Sequence, residues 1–409
     1  MNNLEEKNYF LHSVVRPTIS FAIAVLVYRG MVESLTRSIL LPSTVLGKNK
    51  LQLEICVKTS RVSFDQRVLV NGLVDAVILK NSTDKSCKGW IIYCNANGVC
   101  YEHILNYTQR LGNKFRRNIC VFNYRGVGDS LGTCNNGNEM VDDCISVIQY
   151  IKKNYPLTQD EDIILWGHSI GGAVSILAAH KLGSEWNGYI VADRSFGYLR
   201  EVVKDKIEHG PLAPMISGFI ASSMMFTFTL AFLLGYGYQP WPTFDDSDTT
   251  ADFVRSTLSG FCLSYVSFRL NSNPRYGFLA GLFGQMILGK YFLKSFYSLD
   301  SLPSVLILAF TLAFELADRG YFLSLLLKIV SSQGWDLNPG EVLPNLKKTM
   351  ITYHKEDEMI PLECSLKKLA KPSSQKVLEL AGPNYPFSNH MYELGDSEIL
   401  EILTFIQGN

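Results

Sequence analysis

The stretch DIILWGHSIGGAVSILAAHKL, residues 162–182, joins an apolar strand to a helix through a turn of small residues. The strand is predicted over Asp162–Trp166, where four apolar residues follow one another before a glycine, as in a strand buried on both faces. A helix rich in glycine and alanine is predicted over Ile170–Leu182. Since the strand passes directly into the helix, the stretch predicts one strand-turn-helix unit of a parallel sheet.

The turn in this stretch has the pattern Gly-x-Ser-x-Gly-Gly, with Ser169 at its centre. A serine on a sharp strand-to-helix turn needs small neighbours, and Gly167, Gly171 and Gly172 provide them. The N-terminus of the following helix also places backbone N–H groups beside the serine, where they can stabilise a developing oxyanion. We therefore interpret the turn as a nucleophile elbow, in preference to a structural glycine-rich turn.

The rest of the chain alternates between apolar strands and amphipathic helices. This alternation predicts a mostly parallel sheet with helices on both faces. Further strands are predicted at Leu53–Lys58, Val74–Lys80, Gly89–Asn95, Arg117–Tyr124, Tyr189–Ala192, Thr349–His354 and Val377–Ala381, and helices at Met140–Lys152, Leu362–Leu369 and Glu398–Ile406.

A long apolar segment interrupts this alternation between residues 192 and 349. No Lys, Arg, Asp or Glu occurs between Glu208 and Asp245, and Ile216–Tyr236 is long enough to cross a bilayer, which takes about 20 residues. We predict three parts: an N-terminal apolar, helical segment (1–50), an α/β core (51–199 and 347–409), and a hydrophobic helical cap or membrane-contacting insertion (200–346). A cap that buries its own apolar surface is the alternative to bilayer contact.

The charge balance indicates which partners to expect, and the cysteines indicate the redox compartment. With 38 Lys plus Arg against 38 Asp plus Glu, the net charge is zero, so we expect no nucleic-acid binding. The nine cysteines lack C-x-x-C spacing and indicate buried thiols in a reducing compartment. No cluster with metal-ligand spacing occurs, and the chemistry of an activated serine requires neither metal nor cofactor.

An elbow serine predicts an acid and then a histidine further along the chain. Asp357 follows the strand TMITYH in the turn KEDEMIP, and His390 lies just before the final helix. Glu356 and Glu358 compete with Asp357 but are interpreted as solvated turn charges. Asp193, after the preceding strand, remains an alternative acid.

These motifs together resemble the α/β-hydrolase superfamily. GHSIGG matches its elbow, DEMIP its acid turn and His390 its base, while Asn95-Ala96-Asn97-Gly98 replaces the family's H-G-x-G. The resemblance implies an α/β-hydrolase sheet with the insertion after its sixth strand, and a triad of Ser169, Asp357 and His390. It also implies an oxyanion hole made by the N–H groups of Asn97 and Ile170, with Ala96 as the alternate donor.

A narrower resemblance is to lipase-like effector hydrolases of intracellular bacterial pathogens. It is carried by N-A-N-G, NYRGVGDS, GHSIGG, ADRSF and YHKEDEMIP. We expect a membrane-associated or cytosolic protein, or a secreted bacterial effector without a cleavable signal peptide.

The expected activity is cleavage of ester bonds through an acyl-serine intermediate. Lipid esters at a membrane are the leading substrates, because residues 216–236 offer a large apolar surface. The alternatives are a peptidase or thioesterase of the same fold, and a membrane-anchored scaffold in which the hydrolase site is not essential. The sequence predicts neither the headgroup and acyl length nor the oligomeric state.

Overall fold

The computed structural model describes residues 64–81, 87, 89–156, 158–183, 186–208, 331–382 and 389–408, together with 54, 55, 58, 327 and 328. The chain divides into two compact units, residues 36–203 with 329–409, and residues 1–35 with 204–328. Nearly all the described residues belong to the first unit.

An eight-stranded sheet forms the centre of the first unit. Its spatial order is β1-β2-β4-β3-β5-β6-β7-β8; β2 is antiparallel to both neighbours, and all pairs from β4 to β8 are parallel. The strands are β1 (Gln66–Val70), β2 (Val74–Leu79), β3 (Trp90–Cys94), β4 (Asn118–Phe122), β5 (Ile163–His168), β6 (Tyr189–Asp193), β7 (Thr349–Tyr353) and β8 (Gln375–Glu379).

Helices cover both faces of this sheet, as the alternating pattern predicts. Among the described residues the α-helices are α1 (Leu105–Phe115), α2 (Gly137–Asn154), α3 (Ile170–Leu182), α4 (Leu199–Glu208), α5 (Pro339–Val342) and α6 (Asp396–Gln407). Buried side chains of α2 and α3 belong to one hydrophobic cluster, and those of α1 and α6 belong to a second one. Because β3 to β7 are parallel, their carboxyl ends meet at one edge of the sheet, where ligands of open α/β sheets bind.

Two predicted elements are wrong. Leu53–Lys58 is not a strand, since Glu54, Ile55 and Lys58 are helical and exposed. The first strand is instead Gln66–Val70, which pairs with β2 across a turn in which Asn71 and Gly72 both have positive φ. An Asn-Gly pair between apolar runs is a strong hairpin signal.

The predicted helix Leu362–Leu369 is reduced to one 3-10 turn, Leu366–Leu369. Its N-cap, Ser365, has extended backbone angles and forms an isolated β-bridge with Phe196. A helix cannot continue through a residue whose backbone pairs with a neighbouring segment in this way.

Residues near the end of the predicted insertion pack on the sheet unit. Trp335 and Leu337 are buried, the Leu199 N–H donates to the Leu337 carbonyl, and the Gly340 N–H donates to the Gly197 carbonyl. Residues 209–326, including Ile216–Tyr236, lie outside the described residues, as does the segment 1–50. Within the described part of the chain, no helix has the length and apolar character needed to cross a membrane.

Candidate active site

Ser169 occupies a strained turn between β5 and α3. Its backbone angles are φ 56° and ψ −122°, in a region that residues with a side chain rarely adopt. The Ser169 N–H donates to the Asp193 carbonyl (2.8 Å), and the Ser169 carbonyl accepts from Gly172 N–H (3.0 Å). The turn is thus held from both sides, in the conformation that an elbow serine requires.

Two of the elbow glycines are required by close backbone approach. A Cβ at Gly167 would lie 2.0 Å from the Gly171 carbonyl oxygen, and one at Gly171 would lie 2.1 Å from the Cys94 carbonyl oxygen. At Gly172 a Cβ would meet the Ser195 Cβ at 2.7 Å. The contact of Gly171 with Cys94 brings the N-terminus of α3 against the end of β3, where the predicted oxyanion loop begins.

The predicted oxyanion loop is anchored by a side chain that the sequence analysis did not single out. Asn95 is fully buried, and its Nδ2 donates to the Phe122 carbonyl (2.8 Å) and to Asn123 Oδ1 (3.3 Å). Asn123 Oδ1 also accepts from the Tyr101 N–H at 2.8 Å. Asn123, the first residue of NYRGVGDS, could have indicated that Asn95 is anchored, because a polar residue directly after a buried strand needs a hydrogen-bond partner.

The two predicted oxyanion donors lie on either side of this contact. Ala96 is buried and Asn97 is half-buried, two and three residues after the last residue of β3. Ile170 is the first residue of α3, so its N–H has no acceptor within the helix. The turn after Asn97 contains Gly98 at φ 76°, a conformation that favours glycine.

Asp357 and His390 form a buried hydrogen-bonded pair. The distance from His390 Nδ1 to Asp357 Oδ2 is 2.8 Å, and both side chains are almost wholly buried. Asp357 Oδ1 accepts the N–H groups of Met359 and Ile360, both at 2.8 Å. A carboxylate only accepts, so Nδ1 carries the proton and Nε2 of the neutral ring is left as an acceptor.

The turn around Asp357 also separates it from its acidic neighbours. Glu356 and Glu358 are exposed. The Glu356 carbonyl accepts from Asn389 Nδ2 (3.0 Å), and Glu358 Oε1 accepts from the His390 N–H (3.4 Å). These two bonds tie the turn to the Asn389 side chain and to the backbone of His390, and neither involves the His390 ring.

Asp193, the alternative acid, is bound to other groups. Its carboxylate lies 3.1 Å from His168 Nδ1, and it accepts from the Thr352 hydroxyl (2.6 Å) and from two nitrogens of Arg194 (2.9 and 2.7 Å). Burial and the positive charge of Arg194 lower the pKa of His168 to about 4. His168 is therefore neutral near neutral pH.

The elbow and the predicted base lie side by side. The ring centroids of His168 and His390 are 4.8 Å apart, and His168 directly precedes Ser169. The structure therefore brings the nucleophile turn, the Asp357 turn and the His390 segment to the carboxyl ends of β5, β6 and β7. These three segments follow the chain order Ser, Asp, His on a mostly parallel sheet of eight strands, which is the arrangement of the α/β-hydrolase fold.

Residues 25–217 match the family described as "Chlamydia CHLPS protein (DUF818)". Among curated proteins the chain is similar to protein bem46 of Schizosaccharomyces pombe, with 21% identity over 137 residues, which cover 34% of this chain and 45% of that protein. The chain thus spans less than half the length of this relative.

Solved structures similar to this chain include three with low sequence identity. A hyperthermophilic esterase of Pyrobaculum calidifontis is 14% identical, covering 93% of this chain and 97% of that one, with a TM-score of 0.42. An esterase of Pyrococcus furiosus is 12% identical, covering 78% of this chain and 80% of that one, with a TM-score of 0.38. A serine hydrolase homologue from Coxiella burnetii is 21% identical, covering 32% of this chain and 64% of that one, with a TM-score of 0.26.

Proposed function

We propose that this chain is an α/β hydrolase, a serine esterase that cleaves carboxylic esters through an acyl-serine intermediate. The observation that carries the proposal is the hydrogen-bonded Asp357–His390 pair beside the strained Ser169 turn. A serine hydroxyl is a weak nucleophile near neutral pH and needs an adjacent base that a third group orients. The three segments supply a nucleophile, a base and an orienting acid.

The proposed reaction has two halves. His390 Nε2 takes the Ser169 proton as Oγ attacks the ester carbonyl, and the N–H groups of Asn97 and Ile170 stabilise the oxyanion. The imidazolium then protonates the leaving alcohol, and the acyl group stays on Ser169. Water, deprotonated by His390, attacks this acyl ester and releases the carboxylic acid with free Ser169. Asp357 stabilises the imidazolium in both halves, and each step uses protein groups and water.

The neutral state of His168 supports this assignment of the base. A protonated His168 would place a positive charge against the ring of His390 and oppose the formation of the imidazolium. Burial and Arg194 together prevent this, since they lower the pKa of His168. Only His390 of the two rings is then available to gain a proton during the reaction.

The proposed substrates are lipid esters at a membrane surface. The supporting feature is the uncharged run between Glu208 and Asp245, which lies in the connection from β6 to β7. Its apolar residues include four phenylalanines in 216–236. Burial of each such side chain contributes about 1.5–3 kcal/mol, so this segment strongly favours an apolar environment.

A vesicle flotation experiment tests the membrane part of the proposal. We expect full-length protein to float with phosphatidylcholine vesicles after a carbonate wash and to release fatty acid from them. A variant with residues 209–326 replaced by a Gly/Ser linker keeps α4 and the buried Trp335 and Leu337. This variant should stay at the bottom of the gradient yet cleave short soluble esters.

The control for flotation is full-length Ser169→Ala, which should float as wild type does but release no fatty acid. Full-length protein that stays at the bottom of the gradient would contradict membrane contact and favour a self-packed cap. Flotation of the linker variant would assign membrane binding to another part of the chain.

The oxyanion loop gives a further prediction. Asn97→Pro removes the backbone donor and should lower kcat for p-nitrophenyl butyrate by about 10²–10³-fold, the loss typical of one oxyanion donor. Asn97→Ala keeps the N–H and is the matched control, with an expected change of less than about 10-fold. Equal losses in the two variants would show that the Asn97 side chain, and not its N–H, is required.

A further inference from the structure

A buried ion pair beside the elbow is not used by the proposed acyl-transfer steps. Asp193 ends β6 and Arg194 follows it; their side chains are 1% and 2% exposed. The Arg194 Nε and Nη2 donate to Asp193 Oδ1 and Oδ2 at 2.9 and 2.7 Å. Arg194 also has a positive φ of 46°, which is unfavourable for a residue with a long side chain. Both burial and strain must therefore be offset by what the pair contacts.

Both members of the pair remain ionised in this buried position. Burial alone would lower the pKa of Arg194, but the Asp193 carboxylate outweighs it and raises that pKa. Burial would raise the pKa of Asp193, but Arg194 and His168 reverse the effect and lower it. A buried ion pair is weak evidence for stability, since apolar residues of similar size often stabilise a protein equally well. Its value then lies in the geometry that it fixes.

On one side, the pair contacts the nucleophile turn. The Asp193 carbonyl accepts the Ser169 N–H at 2.8 Å, and the Asp193 carboxylate lies 3.1 Å from His168 Nδ1. The Thr352 hydroxyl donates to the same carboxylate, and the Arg194 N–H donates to the Thr352 carbonyl at 3.0 Å. These bonds fix Asp193 relative to β5 and β7.

On the other side, Arg194 contacts the segment that carries His390. Its Nη1 donates to the Asn389 carbonyl at 3.3 Å, and its guanidinium carbon lies 4.4 Å from the centroid of the Tyr392 ring. These contacts fall on the residue before His390 and on the residue two positions after it. One planar guanidinium therefore joins the base segment to the carboxylate that is bound to the nucleophile turn.

We propose that Arg194, oriented by Asp193, is a positioning residue that sets His390 against Ser169. The inference rests on the proposed ester hydrolysis. The reacting nitrogen and oxygen must come within hydrogen-bond reach, and a displacement of about 1 Å can lower the rate by about 10²-fold. Asp357 orients the ring of His390 through Nδ1, whereas Arg194 contacts the Asn389 carbonyl before His390 and the Tyr392 ring after it.

Lysine cannot replace arginine in this role. An ammonium keeps the charge but lacks the planar fork that reaches both Asp193 oxygens, the Asn389 carbonyl and the Tyr392 face together. We expect Arg194→Lys to lower kcat for p-nitrophenyl acetate by about 10–100-fold and to change KM by less than about 3-fold, because the fault lies in alignment and not in substrate binding.

Tyr392 offers a milder test that leaves no buried charge unpaired. Tyr392→Leu removes the ring under Arg194 and should lower kcat by about 3–10-fold. Tyr392→Phe is its matched control, since it keeps the ring and loses only the hydroxyl that bonds Glu398 at 3.0 Å. Its kcat should equal that of wild type within a factor of about 2.

Arg125→Lys is the control for general loss of stability. Arg125 Nε and Nη2 donate to the buried Asp143 at 2.9 and 2.7 Å, in a pair that joins the segment after β4 to α2. We expect this variant to lower Tm without lowering kcat.

The experiment measures kcat, KM and Tm for these full-length variants beside wild type and Ser169→Ala. A fall in kcat for Arg194→Lys and Tyr392→Leu, with Tyr392→Phe and Arg125→Lys near wild type, supports the inference. Wild-type kcat in both Arg194→Lys and Tyr392→Leu overturns it, as does a kcat that follows Tm across all four variants. In those cases Ser169-dependent turnover by wild type leaves the esterase proposal intact. Absence of Ser169-dependent turnover overturns both. If Arg194→Lys does not fold, the Tyr392 pair decides.

Discussion

Ser169→Ala is expected to lower kcat/KM for a simple aryl ester by about 10⁴-fold or more, the loss seen when a triad member is removed. Alanine keeps the turn but leaves no oxygen to attack the carbonyl, so the acyl-enzyme cannot form. The strained backbone of Ser169, at φ 56°, is a cost that the fold tolerates for the placement of this side chain. Alanine at this position keeps the same strained backbone, so Tm should stay close to that of wild type.

The matched control is Ser175→Ala in the same helix. Ser175 is buried, and its hydroxyl donates to the Gly171 carbonyl at 2.9 Å, as a helix serine commonly does. This variant should keep activity within about 10-fold of wild type, because the bond is structural. Ser169→Ala with wild-type turnover would show that another group is the nucleophile.

Asp357→Asn is expected to lower kcat by about 10⁴-fold. Asp357 Oδ1 already accepts two backbone N–H groups, so the oxygen of an asparagine would occupy that position. Its NH₂ group would then face His390 Nδ1, which lies 2.8 Å from Asp357 Oδ2 in the wild type. The ring would adopt the opposite tautomer, with the proton on Nε2, and could not accept the Ser169 proton.

The neighbouring acids are the controls for this prediction. Glu356→Gln and Glu358→Gln should each change kcat by less than about 10-fold, because both side chains are exposed. Asp193→Asn should lower kcat to an intermediate extent, because it weakens the hydrogen bonds that orient Arg194. A severe Asp193→Asn together with a mild Asp357→Asn would assign the orienting acid to Asp193.

The sheet and the elbow could be predicted from the sequence because their signals are local. The helix Ile170–Leu182 was predicted with the bounds that it has in the structure. The parallel strands from β3 to β7 each coincide with a short apolar run in the sequence. Residue patterns within 5 to 13 positions were sufficient there. The elbow glycines were predictable for the same reason, since their contacts lie within one turn.

Elements without a continuous apolar run were not predicted. The strand Gln66–Val70 was missed because three of its five residues are exposed, although the Asn71-Gly72 turn that joins it to β2 is a hairpin signal. The helix Leu105–Phe115 was missed, since its polar residues conceal an apolar face that becomes buried only against the sheet. Leu362–Leu369 was predicted as a helix, but the pairing of Ser365 with Phe196 limits it to one turn.

In the candidate site, too, the residues with a local motif were predicted and those that depend on long-range contacts were not. Ser169, Asp357 and His390 were selected by motif and order along the chain. The contacts of Arg194 with Asn389 and Tyr392 join residues about 195 positions apart, and only the adjacency of strand ends in the sheet brings them together. The signal was the pair Asp193-Arg194 directly after an apolar strand, where two charges must find buried partners.

Covalent labelling with a fluorophosphonate probe, followed by peptide mapping, tests the central claim most directly. The probe reports an activated serine without any assumption about the natural substrate. Full-length wild type should gain one adduct, on the peptide that contains Ser169, and His390→Ala and Asp357→Asn should label far more slowly. Ser169→Ala should gain none. A wild type that takes up no label, or an adduct that persists in Ser169→Ala, would contradict the assignment of Ser169 as the nucleophile.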